Sequence, residues 1–232
     1  ADGGFQVGKM ATLFYPGGIE VKSESNQLAL KETTELLKLH DNIILFEPAF
    51  AFENLLVRVD IFIKKGSLIE VIEVKAKSYD SEKPDFFGSK ASIKSSILPY
   101  IEDAAFQKYV LSQVFPDAAL KTYLMMPDKS VEAKTDGLNQ CFRLSEINGA
   151  KVVTVSDGAT QQVLLNDKLL AKVSIDKYID VIMDNTLNYP SAQDNTNDLL
   201  PERVKSWAFS YINDVKIEPT FHKGCRNCEF RA

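Results

Sequence analysis

The sequence predicts an α/β (α+β) fold, a central mixed β-sheet flanked by helices, on three observations. Three apolar, strand-like runs follow one another closely, Ile43–Phe52, Leu55–Lys64 and Ser67–Lys77, with only Glu53-Asn54 and Lys65-Gly66 between them as hairpin-type turns. Apolar residues at helical spacing stand before and after this block. A further short strand, Leu120–Met126, comes after the second helical segment. The order is therefore helix, three strands, helix, strand, which reads as a small sheet backed by helices.

Taken along the chain, residues 5–15 read as the end of a helix, stopped by Pro16-Gly17-Gly18. Between Ser25 and His40 the leucines 28, 30, 36, 37 and 39 recur at roughly helical spacing, and Asp41-Asn42 punctuate the chain. The three strand runs are expected to form an antiparallel meander. Residues 78–96, polar and interrupted by Pro84 and Gly88, read as a long loop, and loops of that length tend to carry function. Ile97–Phe115 is an amphipathic helix whose buried face would hold Ile101, Ala104, Ala105, Tyr109 and Leu111. Beyond Leu120–Met126, a strand is expected at Gln140–Leu144 and a helix or irregular excursion over 145–172, with a small hairpin around Asp157-Gly158. A helix at Ile175–Leu187, a polar linker at Tyr189–Asn197 and a short helix at Pro201–Asn213 complete the reading.

Composition excludes several classes. The chain has 232 residues, 45% hydrophobic and 25% charged, which fits a folded domain and neither a disordered tail nor a fibre. Its 27 basic and 32 acidic residues give a formal net charge of −5, so a nucleic-acid partner has to be argued from a local site. No apolar run approaches the roughly 20 residues needed to span a bilayer, so no membrane partner is expected. The start, Ala-Asp-Gly-Gly, has neither the basic residues nor the apolar stretch of a signal peptide, and a cytoplasmic location is expected. Because the first residue is not Met, the chain is also expected to be part of a longer protein.

The chemistry concentrates in Val57-Arg58-Val59-Asp60-Ile61 and Val71-Ile72-Glu73-Val74-Lys75. Alternate residues of a strand share a face, so Arg58 and Asp60 are expected on one side, as are Glu73, Lys75 and Lys77 on the next strand. Folding at Lys65-Gly66 brings Asp60 beside Glu73 and Lys75. Two carboxylates and an ammonium on an otherwise apolar hairpin are costly unless they bind something. A hard cation such as Mg²⁺ takes one or two carboxylates, keeps waters and completes its shell with phosphate oxygens. The other reading of the same three residues is a salt bridge on a sheet face. The E-x-K spacing recurs at Glu20-Val21-Lys22 and Glu132-Ala133-Lys134, but both lie beside turn signals and read as solvated surface charge.

An aspartate followed one hairpin later by E-x-K resembles the PD-(D/E)xK nuclease superfamily. The helix that follows, with Asp103 and Gln107 four residues apart and Tyr109 beyond, is similar to the Gln-Tyr motif of its RecB-like branch. Phe14–Ile19 and Phe46-Glu47-Pro48-Ala49-Phe50 add to the resemblance, which covers most of residues 5–125. It implies one nuclease domain with a restriction-endonuclease-like core at about 5–145, a helical or irregular accessory region at 146–215 and a cysteine-containing tail at 216–232. Asp60 and Glu73, with the Val74 carbonyl and the more distant Glu47, would hold Mg²⁺ or Mn²⁺. Lys75 would be the catalytic lysine, Gln107 and Tyr109 would orient substrate or water, and Arg58, Lys77 and Asp103 would bind substrate. The expected activity is metal-dependent cleavage of DNA, single- or double-stranded, as an exonuclease. Local charge agrees, since residues 64–94 hold seven lysines against five acidic residues. The resemblance leaves room for a helicase or other repair or defence partner.

Cys225-Arg226-Asn227-Cys228 resembles the C-terminal cysteine motif of RecB-like nucleases that carry a 4Fe-4S cluster. Such a cluster needs four thiolates, and besides this pair the sequence holds only Cys141. A lone C-x-x-C is equally half a zinc site or two free thiols. Free thiols are expected of this chain and a cluster of the intact protein. His40 and His222 are expected at the surface. A rival reading keeps the fold as a non-catalytic nucleic-acid-binding or assembly module, since fold does not imply function. A second rival is an Mg²⁺-dependent enzyme acting on small phosphate esters.

Overall fold

A computed structural model describes residues 2–218 apart from 24, 89–91, 148, 167 and 185–198. The chain opens with α1 (Asp2–Leu13), a two-residue strand β1 (Ile19–Glu20) and α2 (Asn26–Leu39). Ser25 caps α2, its hydroxyl accepting from Leu28 N at 3.2 Å. Five strands follow: β2 (Asn42–Phe46), β3 (Ala49–Phe52), β4 (Leu55–Arg58), β5 (Ile61–Lys65) and β6 (Leu68–Val74). Then come α3 (Leu98–Val114), β7 (Ala119–Pro127), a 3₁₀ turn at Leu138–Cys141, β8 (Phe142–Ile147) and β9 (Ala150–Val155). The described residues end with α4 (Ala159–Leu165), β10 (Leu170–Ser174), α5 (Asp176–Asp184) and α6 (Leu200–Ile212).

Six strands form the central mixed sheet, in the order β1-β2-β5-β6-β7-β10. β2-β5-β6 is the expected antiparallel meander, while β7 joins β6 in parallel because α3 carries the chain across between them. β10 then pairs antiparallel with β7. Helices flank this sheet. In β5, Ile61, Phe62 and Ile63 are all buried, so both faces are covered at the centre. Ile61 and Ile63 join Met10 and Ala11 of α1, Ile72 and Met125 in one core. Phe62 points the other way and stacks with Phe50 and Phe115, its ring 4.9 and 5.9 Å from theirs.

The first two strand runs are not continuous. Each bends, so that β3 and β4 leave the main sheet as a separate two-stranded ribbon. The bend falls at Glu47-Pro48 on one arm and Val59-Asp60 on the other. Pro48 has no N–H to give a ladder, and Glu47 takes φ 56°, outside the extended region. Two backbone bonds hold the corner, Glu47 N to Asp60 O at 3.2 Å and Val59 N to Pro48 O at 3.1 Å.

The chain divides into two compact units, residues 1–85 with 110–176 and residues 86–109 with 177–232. The first includes β8, β9, α4 and β10. Residues 145–172 are not irregular. β8 and β9 pair over six residues each, and the connection between Ile147 and Ala150 is Asn-Gly in the sequence, with Gly149 at φ 81°. Gly158, expected in a hairpin, precedes α4, and β10 was not expected. The strand expected at Gln140–Leu144 begins only at Phe142, after the 3₁₀ turn. In the second unit, Phe86 N donates to the Tyr178 hydroxyl at 3.0 Å, and Phe86 and Phe87 stack on the Tyr178 ring. The expected linker 189–197 lies outside the described residues. Among them, no helix is long and apolar enough to cross a membrane.

Candidate active-site cleft

The corner between β4 and β5 is what positions Asp60. One residue before β5, it is released from the ladder, and its Oδ2 accepts from Val74 N at 2.6 Å. Ile61 pairs with Ile72, so the next step of the register sets Asp60 opposite Glu73. Glu73 is 5% exposed, and Lys75, on the same side of the strand, donates to its Oε1 at 2.5 Å. Lys75 N in turn donates to Met125 O at 3.0 Å, which ties the end of β6 to β7. A turn, a period-two pattern and one proline thus suffice to assemble two carboxylates and an ammonium at one strand end.

These groups line an open cleft of about 580 Å³ together with Glu47 and Val74. Desolvation in the cleft lifts the Glu47 carboxyl above its ordinary range; Arg58 pulls it back, while Glu73 and Glu20 push it further up. The cleft holds four carboxylates (Glu20, Glu47, Asp60, Glu73) against three ammoniums (Lys9, Lys75, Lys151). Three of these carboxylates have a cation of the protein nearby: Lys9 lies 3.8 Å from Glu20, Arg58 4.0 Å from Glu47, and Lys75 is paired with Glu73. Among the described residues no group of three or more His, Cys, Asp or Glu side chains is placed to hold a metal ion. Asp60, Glu73 and the Val74 carbonyl offer oxygen donors only, the kind that a hard divalent ion takes together with water and substrate oxygens.

Comparison of the chain with protein-family models, curated proteins and solved structures finds no match.

Three charged cleft residues were not expected. Lys9 reaches in from α1 and lies 3.8 Å from Glu20 of β1, and Lys151 comes from β9. Glu20 is as solvated as its E-x-K setting suggested, with 48% of its side chain exposed, yet it borders this cleft. Residues 4, 8 and 12 of α1, which also line it, recur every four positions, so the helical period was the available signal. β1 and β9 gave none, because only long-range pairing brings them here.

Arg58 and Lys77, also predicted, do not line this cleft. Arg58 does not share the cleft with Asp60, because the corner between them resets the strand alternation. Its guanidinium instead donates to the carbonyls of Ser23, Val21 and Glu47 at 3.0, 3.3 and 2.8 Å, pinning the chain after β1 to the corner. Lys77 follows the end of β6, half-buried, outside the cleft lining. Asp103, Gln107 and Tyr109 lie on the part of α3 that belongs to the second unit. Gln107 and Tyr109 are buried and Asp103 half-buried there. Cys225, Cys228 and His222 lie outside the described residues. Cys141 is half-buried, its thiol donating to Gln162 Oε1 at 3.1 Å, and His40 is exposed.

Proposed function

We propose that this chain is a metal-dependent deoxyribonuclease of the PD-(D/E)xK kind, working as an exonuclease on a restriction-endonuclease-like core. The observation that carries the reading is the meeting of Asp60, Glu73 and Lys75 in one open cleft, on adjacent strand ends. Asp60 and Glu73, with the Val74 carbonyl, would hold Mg²⁺ or Mn²⁺, and Glu47 stands at the edge of that set. The ion, when bound, supplies Lewis acidity toward a phosphate oxygen and makes a water more acidic. Lys75 orients the attacking water and offsets the charge that gathers on the phosphate. Water adds to phosphorus, the bond to the leaving sugar oxygen breaks, and the water's proton ends on that oxygen. Gln107 and Tyr109 enter as orienting residues only through the sequence resemblance.

The test is incubation with linear single- and double-stranded DNA and Mn²⁺ or Mg²⁺, beside Asp60→Ala and Lys75→Ala. The expected result is cleavage by the parent protein and a loss of at least about 100-fold in each variant. No cleavage, together with no Asp60-dependent metal binding by calorimetry, overturns the reading in favour of a non-catalytic nucleic-acid-binding or assembly module. Cleavage of small phosphate esters in preference to DNA would point to the other rival.

A further inference from the structure

The two walls of the cleft differ from its floor. The floor is the charged strand end just described. One wall is α1, which presents Gly4, Phe5, Gly8, Lys9 and Thr12; the other is the β8–β9 hairpin, which presents Lys151, Val152 and Val153. Phe5 is 47% exposed, so its ring is open to a partner. Lys151 Nζ lies 5.8 Å from the centre of that ring, so a cation and an aromatic face meet across the mouth of the cleft. Gly4 and Gly8 keep the α1 wall low. A Cβ added at either would meet nothing within 4 Å, so close packing within the protein does not require glycine there. Each also costs the helix about 1 kcal/mol relative to alanine.

We infer that α1 and the β8–β9 hairpin are the two banks of a channel that grips one strand of the DNA, a base stacking on Phe5 and the backbone phosphates meeting Lys151 and Lys9. This rests on the proposed nuclease reading and adds to it the residues that hold the strand away from the reacting phosphate. Stacking is the right chemistry for Phe5, because every base offers a π-face whatever its identity. Lys151 is the right partner beside it, since each nucleotide carries its phosphate within a few ångströms of its base. Lys9 lies 3.8 Å from Glu20, which neutralises it in part.

The experiment measures binding of a fluorescently labelled oligodeoxythymidine to Asp60→Asn protein, which leaves the strand uncut, over a KCl series in Mg²⁺. Lys151→Gln should bind about tenfold more weakly at low salt. Its slope of log affinity against log salt should be shallower by about 0.7, the loss of one single-strand phosphate contact. Phe5→Ala should also bind about tenfold more weakly, with the slope unchanged, and Phe5→Trp should restore the parent affinity. Gly8→Leu, whose Cβ has open space in the free protein, should narrow the channel and weaken binding, whereas Lys65→Gln, outside the cleft, should not. Both side chains under test project from the surface, so their removal leaves the fold in place. Parental affinity and salt slope in Lys151→Gln and Phe5→Ala would overturn the channel even if Asp60-dependent cleavage is found. Strand binding that responds to both variants, in a protein that cleaves nothing, would keep the channel and remove the chemistry.

Discussion

Glu73 and Asp128 sit at the ends of neighbouring parallel strands, one near the end of β6 and the other just past β7, and each is 5% exposed. Burial would push the Asp128 carboxyl toward its neutral form. Asp128 answers with its own chain. Its Oδ1 accepts from Ser130 Oγ at 2.6 Å, from Ser130 N at 3.1 Å and from Ser81 N at 3.3 Å, and the two serine hydroxyls meet at 2.7 Å. The bonds outweigh the burial and bring its pKa down to about 2. Glu73 has a lysine beside it and opens on a cleft of about 580 Å³ that three further carboxylates share. A carboxylate that builds a loop closes its shell with N–H and O–H donors from that loop. The proposed metal ligand is instead set among further carboxylates with room in front of it.

The comparison is broken most directly by crossing the two sites. Asp60→Asn should lower cleavage at least about 100-fold, while urea denaturation shows stability unchanged or raised, because a like charge leaves a crowded cleft. Asp128→Ala should do the reverse. It strands the Ser81 and Ser130 N–H groups and the loops they hold, a cost of about 2–4 kcal/mol, with activity per folded molecule intact. An Asp128→Ala protein that is fully stable but inactive would show that the two sites have been assigned the wrong way round.

Much of the cleft floor was legible because strand alternation is short-range. Asp60, Glu73 and Lys75 lie within sixteen consecutive residues and are joined by one Lys-Gly turn, so period two and the turn nearly fix their meeting. The corner at Glu47-Pro48 was visible as a proline inside a strand pattern and should have split the run. It also explains why Arg58 left the Asp60 face. Lys9, Glu20 and Lys151 were not legible. They belong to a helix, a two-residue strand and a hairpin far apart in sequence, and only tertiary pairing decides that they share a cleft. The β8–β9 hairpin itself carried a strong local signal in Asn148-Gly149, which the excursion expected over 145–172 passed over.

Acid offers a finer contrast. Asp128 moves from an ordinary 3.8 down to about 2 in the folded protein. A depressed folded pKa contributes stability that is complete above the unfolded value and is lost as pH falls through the folded one. The expected window is therefore between about pH 4 and pH 2. Denaturation midpoints followed through that window should fall for the parent and fall less steeply for Asp128→Asn, which keeps the side chain's shape without the titration. Parallel curves for the two proteins would mean that the serine network does not hold the charged form.

The smallest effect belongs to Glu47, which stands between the two kinds of carboxylate. Its backbone is at φ 56°, a conformation that costs a residue with a Cβ of order 1 kcal/mol and costs glycine almost nothing. Its carbonyl is held by Arg58 at 2.8 Å, so the corner survives loss of the side chain. Glu47→Gly should accordingly raise stability, by no more than about 1 kcal/mol, since the added freedom of the unfolded chain takes back part of the relief. Cleavage should fall in the same variant, by less than in Asp60→Asn, because Glu47 borders the proposed ligand set rather than forming its centre. The sign of the two changes together is what matters. A strained glutamate whose removal stabilises the fold and slows the reaction is kept for the reaction, whereas one whose removal leaves cleavage untouched merely shapes the corner.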